Sequence, residues 1–183
     1  MKREFLTLPN LLSIFRAFLA VPFTLVMLLP DEPLRLAAAG IVALGMVTDK
    51  LDGDIARARG QETEWGRILD PLADKICVAV MALVLMKLGD LPVGFVGALL
   101  GRDLLILAGG LYIKKRRGIV VPSNAAGKWT VTAIAVTMLV AILGVLASVR
   151  PWLIAVCVAG LAVSLVMYGA RFIQILSGGE ARA

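Results

Sequence analysis

The chain has 183 residues, 60% of them hydrophobic, with 19 Lys and Arg against 13 Asp and Glu and no histidine, and a mean hydropathy of +0.90. An ordinary soluble domain is excluded by that composition, and apolar runs close to the ~20 residues that cross a bilayer recur, so an all-α polytopic membrane protein with six transmembrane helices is expected. The net charge of +6 points to anionic partners and basic cytoplasmic loops rather than nucleic acid, and the missing histidine leaves acid–base chemistry to Asp, Glu, Lys or Tyr.

Taken in order, Met1 to Leu8 is short, basic and amphipathic, and is expected to lie at the membrane interface. Pro9-Asn10 punctuates it. The first apolar helix is expected over 11–29; its length and the interrupting Arg16 argue for a permanent span rather than a cleaved leader. Pro30 to Pro33 reads as a loop. A second helix is expected over 34–59, a polar turn over 60–64, and a third helix over 66–88 with Pro71 in its opening turns. Gly89 to Pro92 is a turn. The fourth helix, 93–113, carries Arg102 and Asp103 in mid-span and ends in the basic run Lys114 to Arg117. A fifth, opening at Pro122 and running to Val149, has Lys128 in its first turns. Arg150-Pro151 separates it from a sixth, 152–176, and 177–183 reads as a flexible tail. Both cysteines, Cys77 and Cys157, fall in apolar helices and read as small buried hydrophobes. No linker or repeat divides the chain, so 1–183 is expected to be one membrane domain, with 1–9 as its interfacial segment.

Loop charge sets the orientation. With the N-terminus in the cytoplasm, that side receives Lys2, Arg3, Arg57, Arg59, Arg67, Lys114 to Arg117 and Arg182, and the other side only Arg35, Lys87 and Arg150. The positive-inside rule therefore favours both termini in the cytoplasm, and a bacterial inner membrane is the expected location.

The chemistry concentrates between Thr48 and Lys75. Asp49 and Asp52 are spaced i,i+3, and Asp70 and Asp74 i,i+4, so each pair shares one face of its helix. A carboxylate at mid-helix costs about 2.5–3.5 kcal/mol on the insertion scale, and such groups persist where they face a wet cavity and a partner. A turn between the two helices would let four carboxylates meet, and an all-oxygen cluster suits Mg²⁺ or Mn²⁺. Gly53, Ala56 and Gly66 are small enough to let a phosphate approach the backbone. Arg57 and Arg67 stand beside the cluster, where a guanidinium can bind a diphosphate bidentately. Arg102, Lys128 and Arg171, basic residues in or near apolar helices, are the candidates for holding an anionic acceptor. A cation transporter would also use intramembrane aspartates, but near the midplane and with inverted repeats. A membrane prenyltransferase would separate its acidic motifs widely along the chain, and a purely structural protein would leave two face-matched carboxylate pairs as uncompensated cost.

The run Asp49, Asp52, Gly53, Ala56, Arg57, Gly66, Asp70, Asp74 has the order and spacing D-x2-D-G-x2-A-R-x8-G-x3-D-x3-D. With Pro9-Asn10-Leu11-Leu12 ahead of the first helix, it resembles the CDP-alcohol phosphotransferase family along the whole chain. The resemblance implies transfer of a phosphatidyl group from CDP-diacylglycerol to an alcohol, with release of CMP. It implies that Asp49, Asp52, Asp70 and Asp74 hold one or two divalent ions, that Asp74 is also the general base, and that Asp52, Gly53, Ala56, Arg57 and Gly66 line the CDP pocket. A homodimer among membrane lipids is expected. Two branches compete for the acceptor. Gly127-Lys128-x-Thr130 is similar to the phosphatidylglycerophosphate synthases, which use glycerol 3-phosphate. Gly101-Arg102-Asp103-Leu104-Leu105 and Tyr168-Gly169 before Arg171 are similar to the eukaryotic-type cardiolipin synthases, which use phosphatidylglycerol. Glycerol 3-phosphate is taken first.

Overall fold

The structure is a computed structural model. It describes the backbone of residues 8–29, 34–59, 66–117 and 125–177, and the side chains of 11–29, 34–48, 72–116, 127 and 129–177. Every regular element among the described residues is an α-helix: α1 (Leu8–Phe18), α2 (Ala20–Met27), α3 (Arg35–Arg59), α4 (Gly66–Lys87), α5 (Val93–Arg117), α6 (Ala125–Leu143) and α7 (Arg150–Leu176). The expected interfacial segment and tail lie outside the described residues.

The first expected span is not one helix but two segments meeting at Leu19. Pro22 is the cause: it has no N–H to give, and its ring crowds the carbonyl four residues earlier, that of Phe18. At the junction the Leu19 N–H is shared between the carbonyls of Phe15 and Arg16, both at 3.1 Å. Thr24 adds to the bend by donating its hydroxyl to the Ala20 carbonyl at 2.7 Å. Pro9, expected to precede the helix, sits inside the first turn of α1, where a missing N–H does no harm. Across the break the buried positions keep one stripe, Ser13, Arg16, Ala20, Phe23 and Met27. Steps of three and four residues hold that stripe on one face. Leu11, Phe15, Phe18, Val21 and Leu25 line the opposite, exposed face.

Chain contacts divide the molecule into two compact units, 1–90 with 142–144, and 91–141 with 145–183. In the first, α1 packs against both α3 and α4, and α2 does the same. Gly45 of α3 comes close to the junction, where a Cβ would stand 3.7 Å from Leu19 Cδ1. At the far end, Arg35 pairs with Asp90 at 2.9 Å and donates to the Ile142 carbonyl at 3.3 Å. Gly144 gives Arg35 room: it has φ +67°, and a Cβ there would lie 3.1 Å from Arg35 Cδ.

In the second unit α5 packs on α7. Gly109 and Gly110 receive the aromatic rings of α7: a Cβ on either would stand 3.3 Å from Tyr168. The Tyr168 hydroxyl donates to the Ile106 carbonyl at 3.1 Å. Helix α5 does not stop at Ile113 but runs through the basic cluster to Arg117, because Lys and Arg are good helix formers and their charge favours a helix C-terminus. Conversely, α6 ends at Leu143 rather than Val149. Gly144 at φ 67° and Leu146 at φ 52° are left-handed, the conformation that commonly ends a helix. Pro151 then sits in the first turn of α7.

Among the described residues, two helices are candidates to cross a membrane by length and composition, Val93–Arg116 and Arg150–Leu176; shorter apolar stretches occupy Leu11–Met27, Arg35–Thr48 and Trp129–Leu143.

Candidate active site

The sequence places all eight signature positions on two helices, and the backbone agrees. Asp49, Asp52, Gly53, Ala56 and Arg57 lie on α3, while Gly66 opens α4 and Asp70 and Asp74 follow on it. Neither helix is interrupted, so the i,i+3 and i,i+4 spacings hold. Of the eight, the side chain of Asp74 is described; those of Asp49, Asp52, Ala56, Arg57 and Asp70 lie outside the described residues, as does that of Lys128. Among the described residues no group of three or more metal-ligating side chains is brought together.

Around Asp74 the geometry is specific. Its carboxylate is 51% exposed, and its Oδ1 stands 3.1 Å from Nε of Arg16, whose own side chain is 6% exposed. Arg16 comes from the last turn of α1, on the buried stripe that faces the signature helices. Cys77, one turn beyond Asp74 on α4, gives its S–H to the Arg16 carbonyl at 3.1 Å. The Arg16 carbonyl also accepts from the Leu19 N–H at the break, so the S–H is its second donor. Two contacts thus tie the end of α1 to one turn of α4. The soft donor nearest Asp74 is engaged with the backbone, and the Asp74 carboxylate is an oxygen donor of the kind that suits a hard divalent ion.

Sequence reasoning registered Arg16 only as an interruption of an apolar run. The signal was there: a lone cation in a helix otherwise apolar needs a partner, and the nearest helical pattern with spare carboxylates is the signature itself.

In the second unit, Arg102 is held from two sides. Nη1 meets Asp103 Oδ1 and Nη2 donates to Ser164 Oγ, both at 2.6 Å. Lengths this short are those of charge-assisted hydrogen bonds. Ser164 is 1% exposed, and nothing in the sequence pattern marked it as Arg102's partner. Arg171 is half-buried on α7, one turn past Tyr168. The cysteines are both free. Cys157 is buried, as expected, and its sulfur lies 3.2 Å from the Thr137 hydroxyl. Gly160 lies against Thr130 so closely that a Cβ would come within 2.7 Å of Oγ1.

Comparison with known proteins gives a consistent family. Residues 6–168 match the family model for CDP-alcohol phosphatidyltransferase. A CDP-diacylglycerol–glycerol-3-phosphate 3-phosphatidyltransferase of Pseudomonas fluorescens is 36% identical over 105 residues, 56% of this chain and 54% of that protein. The enzyme of the same description from Escherichia coli K12 is 46% identical over 79 residues, 43% of each chain. A cardiolipin synthase (CMP-forming) of Rattus norvegicus is 37% identical over 111 residues, 60% of this chain and 36% of that protein. The matched stretch therefore spans about a third to a half of these curated relatives.

Proposed function

The chain belongs to the CDP-alcohol phosphatidyltransferase family, and on that premise we propose that it transfers a phosphatidyl group from CDP-diacylglycerol to an alcohol and releases CMP. The observation that carries this reading is the complete eight-position signature, uninterrupted on α3 and α4. The family match runs through both compact units, which supports 1–183 as one catalytic membrane domain. The two long apolar helices and the three shorter apolar stretches support five spans, the apolar second half of α4 is taken as the sixth, and charge in the loops supports both termini and the aspartates on the cytoplasmic side.

In the reaction the acceptor hydroxyl gives its proton to Asp74. Its oxygen bonds the lipid-side phosphorus, the bond from that phosphorus to the bridging oxygen breaks, and CMP leaves with the electron pair. Asp74's half-exposed carboxylate suits this role, because a general base must be reachable by the hydroxyl it deprotonates. Asp49, Asp52, Asp70 and Asp74 would hold Mg²⁺ or Mn²⁺, two ions in all. Bound there, such ions supply charge neutralisation for the diphosphate and the leaving CMP. Gly53, Ala56, Arg57 and Gly66 line the CDP site beside Asp52. The chain acts as a homodimer.

Glycerol 3-phosphate is the acceptor that this reading takes first. A relative with that described activity matches at 46% identity over 79 residues, and Lys128 and Arg171, with Arg102, offer the fixed positive charge a phosphate dianion needs. A second reading, phosphatidylglycerol as acceptor, is favoured by Arg102-Asp103 and by the cardiolipin synthase match. The test is CMP release from CDP-diacylglycerol by the purified full chain, with each acceptor and with EDTA. Turnover with glycerol 3-phosphate, lost to EDTA and restored by Mg²⁺ or Mn²⁺, is the expected result. Turnover with phosphatidylglycerol alone moves the chain to the second reading, and no CMP with any alcohol overturns both.

A further inference from the structure

The basic run that ends α5 continues a pattern begun deeper in that helix. Gly109 and Gly110 face α7, where a Cβ on either would meet Tyr168, and Ile113 is buried a turn further on. The opposite face presents Leu104, Leu107 and Leu111, all exposed. Steps of three and four residues carry that face on to Lys114 and Lys115, also exposed. Leu104 to Lys115 covers about 16 Å of helix at about 1.5 Å per residue. One leaflet of a hydrocarbon core about 30 Å thick has nearly that depth. Beside the lysines, the Arg116 guanidinium lies over the Tyr112 ring, 5.7 Å from its centroid. Tyr112 in turn meets Phe172 of α7, with ring centroids 6.1 Å apart. Stacking holds a guanidinium by its face, while its planar N–H edge is the part that binds phosphate oxygens bidentately. Among the described residues Lys114, Lys115 and Arg116 form no ion pair. Carboxylates are also missing from the neighbouring sequence: between Asp103, which is bonded to Arg102, and Glu180 there is no Asp or Glu.

We propose that this face of α5 is a docking surface for an acidic glycerophospholipid, with acyl chains along Leu104, Leu107 and Leu111 and the headgroup phosphate at Lys114, Lys115 and Arg116. The inference rests on α5 as a membrane span and not on the transfer reaction. Charge complementarity selects the headgroup. An acidic headgroup brings net negative charge to a cluster with no carboxylate beside it in sequence, whereas a zwitterionic one brings its own ammonium and gains little. Each Lys or Arg near an anionic membrane surface is worth about fivefold in binding. The lysine stems prolong the leucine stripe and lift their ammonium groups to headgroup level. Loop charge that only sets orientation needs basic residues but no register with an apolar face. Here the lysines stand in line with the leucines, and the third cation is stacked on a ring. A soluble anion would use the charges and leave the leucines unused.

The experiment uses the full chain in a nonionic detergent, with phosphatidylserine and phosphatidylcholine of identical acyl chains as probes. Neither reading of the reaction uses either lipid. Native mass spectrometry across a lipid titration gives the apparent Kd of each. Wild type is expected to prefer phosphatidylserine by at least about tenfold, within the bound of about 10²-fold that three basic residues set. Lys114→Gln/Lys115→Gln/Arg116→Gln should reduce that preference to under about twofold. Tyr112→Leu, which removes the ring beneath the guanidinium, should weaken phosphatidylserine by about two- to fivefold, the worth of an exposed cation–π contact. Lys2→Gln/Arg3→Gln/Arg182→Gln removes the same charge from the two ends of the sequence and should leave the preference within about twofold, since charges act over about a Debye length. Equal affinity of wild type for the two lipids overturns the inference, as does an undiminished preference in the α5 triple variant or an equal loss in the end-charge variant. Displacement of phosphatidylserine by glycerophosphoserine at matched concentration would make the cluster a site for soluble phosphate and overturn it too. Should the α5 triple variant not fold, Lys115→Gln carries the same test: a preference lower by about fivefold supports the surface, and an unchanged one overturns it.

Discussion

Removing Asp103 isolates the energetics of the charged brace in α5. Arg102 and Asp103 have side chains 14% and 21% exposed, with 2.6 Å between their polar atoms. In Asp103→Ala the partner left to the guanidinium among the described residues is the neutral Ser164 hydroxyl. Breaking a buried pair by removing one member costs about 3–5 kcal/mol. Partial exposure of both groups puts this case at the low end, about 3 kcal/mol. For a chain of this size each kcal/mol lowers Tm by about 2–4 °C, so a fall of about 6–12 °C is expected. The protein carries its own probe. Cys157 is fully buried, and Cys77→Ser, which keeps an O–H donor for the Arg16 carbonyl, leaves Cys157 as the single thiol of a chain with two cysteines. A thiol-reactive fluorophore then reports unfolding as Cys157 becomes accessible. Replacing both charges, in Arg102→Leu/Asp103→Leu, should recover most of the lost stability, because a buried pair exchanged for apolar side chains is often neutral or better. An Asp103→Ala variant melting within about 2 °C of its parent, below the effect of 1 kcal/mol, would show that the guanidinium does not need its carboxylate. A double variant as unstable as the single would refute the argument from an unpaired charge.

Three further outcomes are expected. Asp74→Asn should lower kcat by about 10²–10⁴-fold while CDP-diacylglycerol binding, measured by displacement of a labelled donor, survives; equal loss of binding would make Asp74 a ligand only. Lys128→Ala and Arg171→Ala should each raise the KM for glycerol 3-phosphate by about tenfold or more, the worth of one charged hydrogen bond, with donor KM nearly unchanged; a matched rise in both constants would remove them from the acceptor site. Gly160→Ala should lower Tm by a few degrees, since its methyl would sit 2.7 Å from Thr130 Oγ1 and overpacking costs about 1–3 kcal/mol. Adding Thr130→Ala should restore stability, and a double variant no better than the single would place the strain elsewhere.

Much of this architecture is legible in one dimension because it is local. Helices over 35–59 and 66–87 follow from apolar periodicity and from the polar turn between them. The signature's spacing on those helices needs only the 3.6-residue repeat. Even the break at Leu19 has a local cause in Pro22, a cue overridden in the sequence reading by the unbroken apolar composition around it. The end of α6 at Leu143 was likewise hidden, because Val145 to Val149 continues the apolar run while Gly144 takes a left-handed conformation in contact with Arg35. What tertiary structure alone decided is which distant groups meet. Arg16 and Asp74 are brought together by α1 packing on α4, and Arg102 finds Ser164 across the packing of α5 on α7. Composition could say that a lone cation in an apolar helix must have a partner. It could not say which one, because periodicity describes the face a residue occupies on its own helix, whereas the partner depends on how two helices far apart in sequence are set against each other.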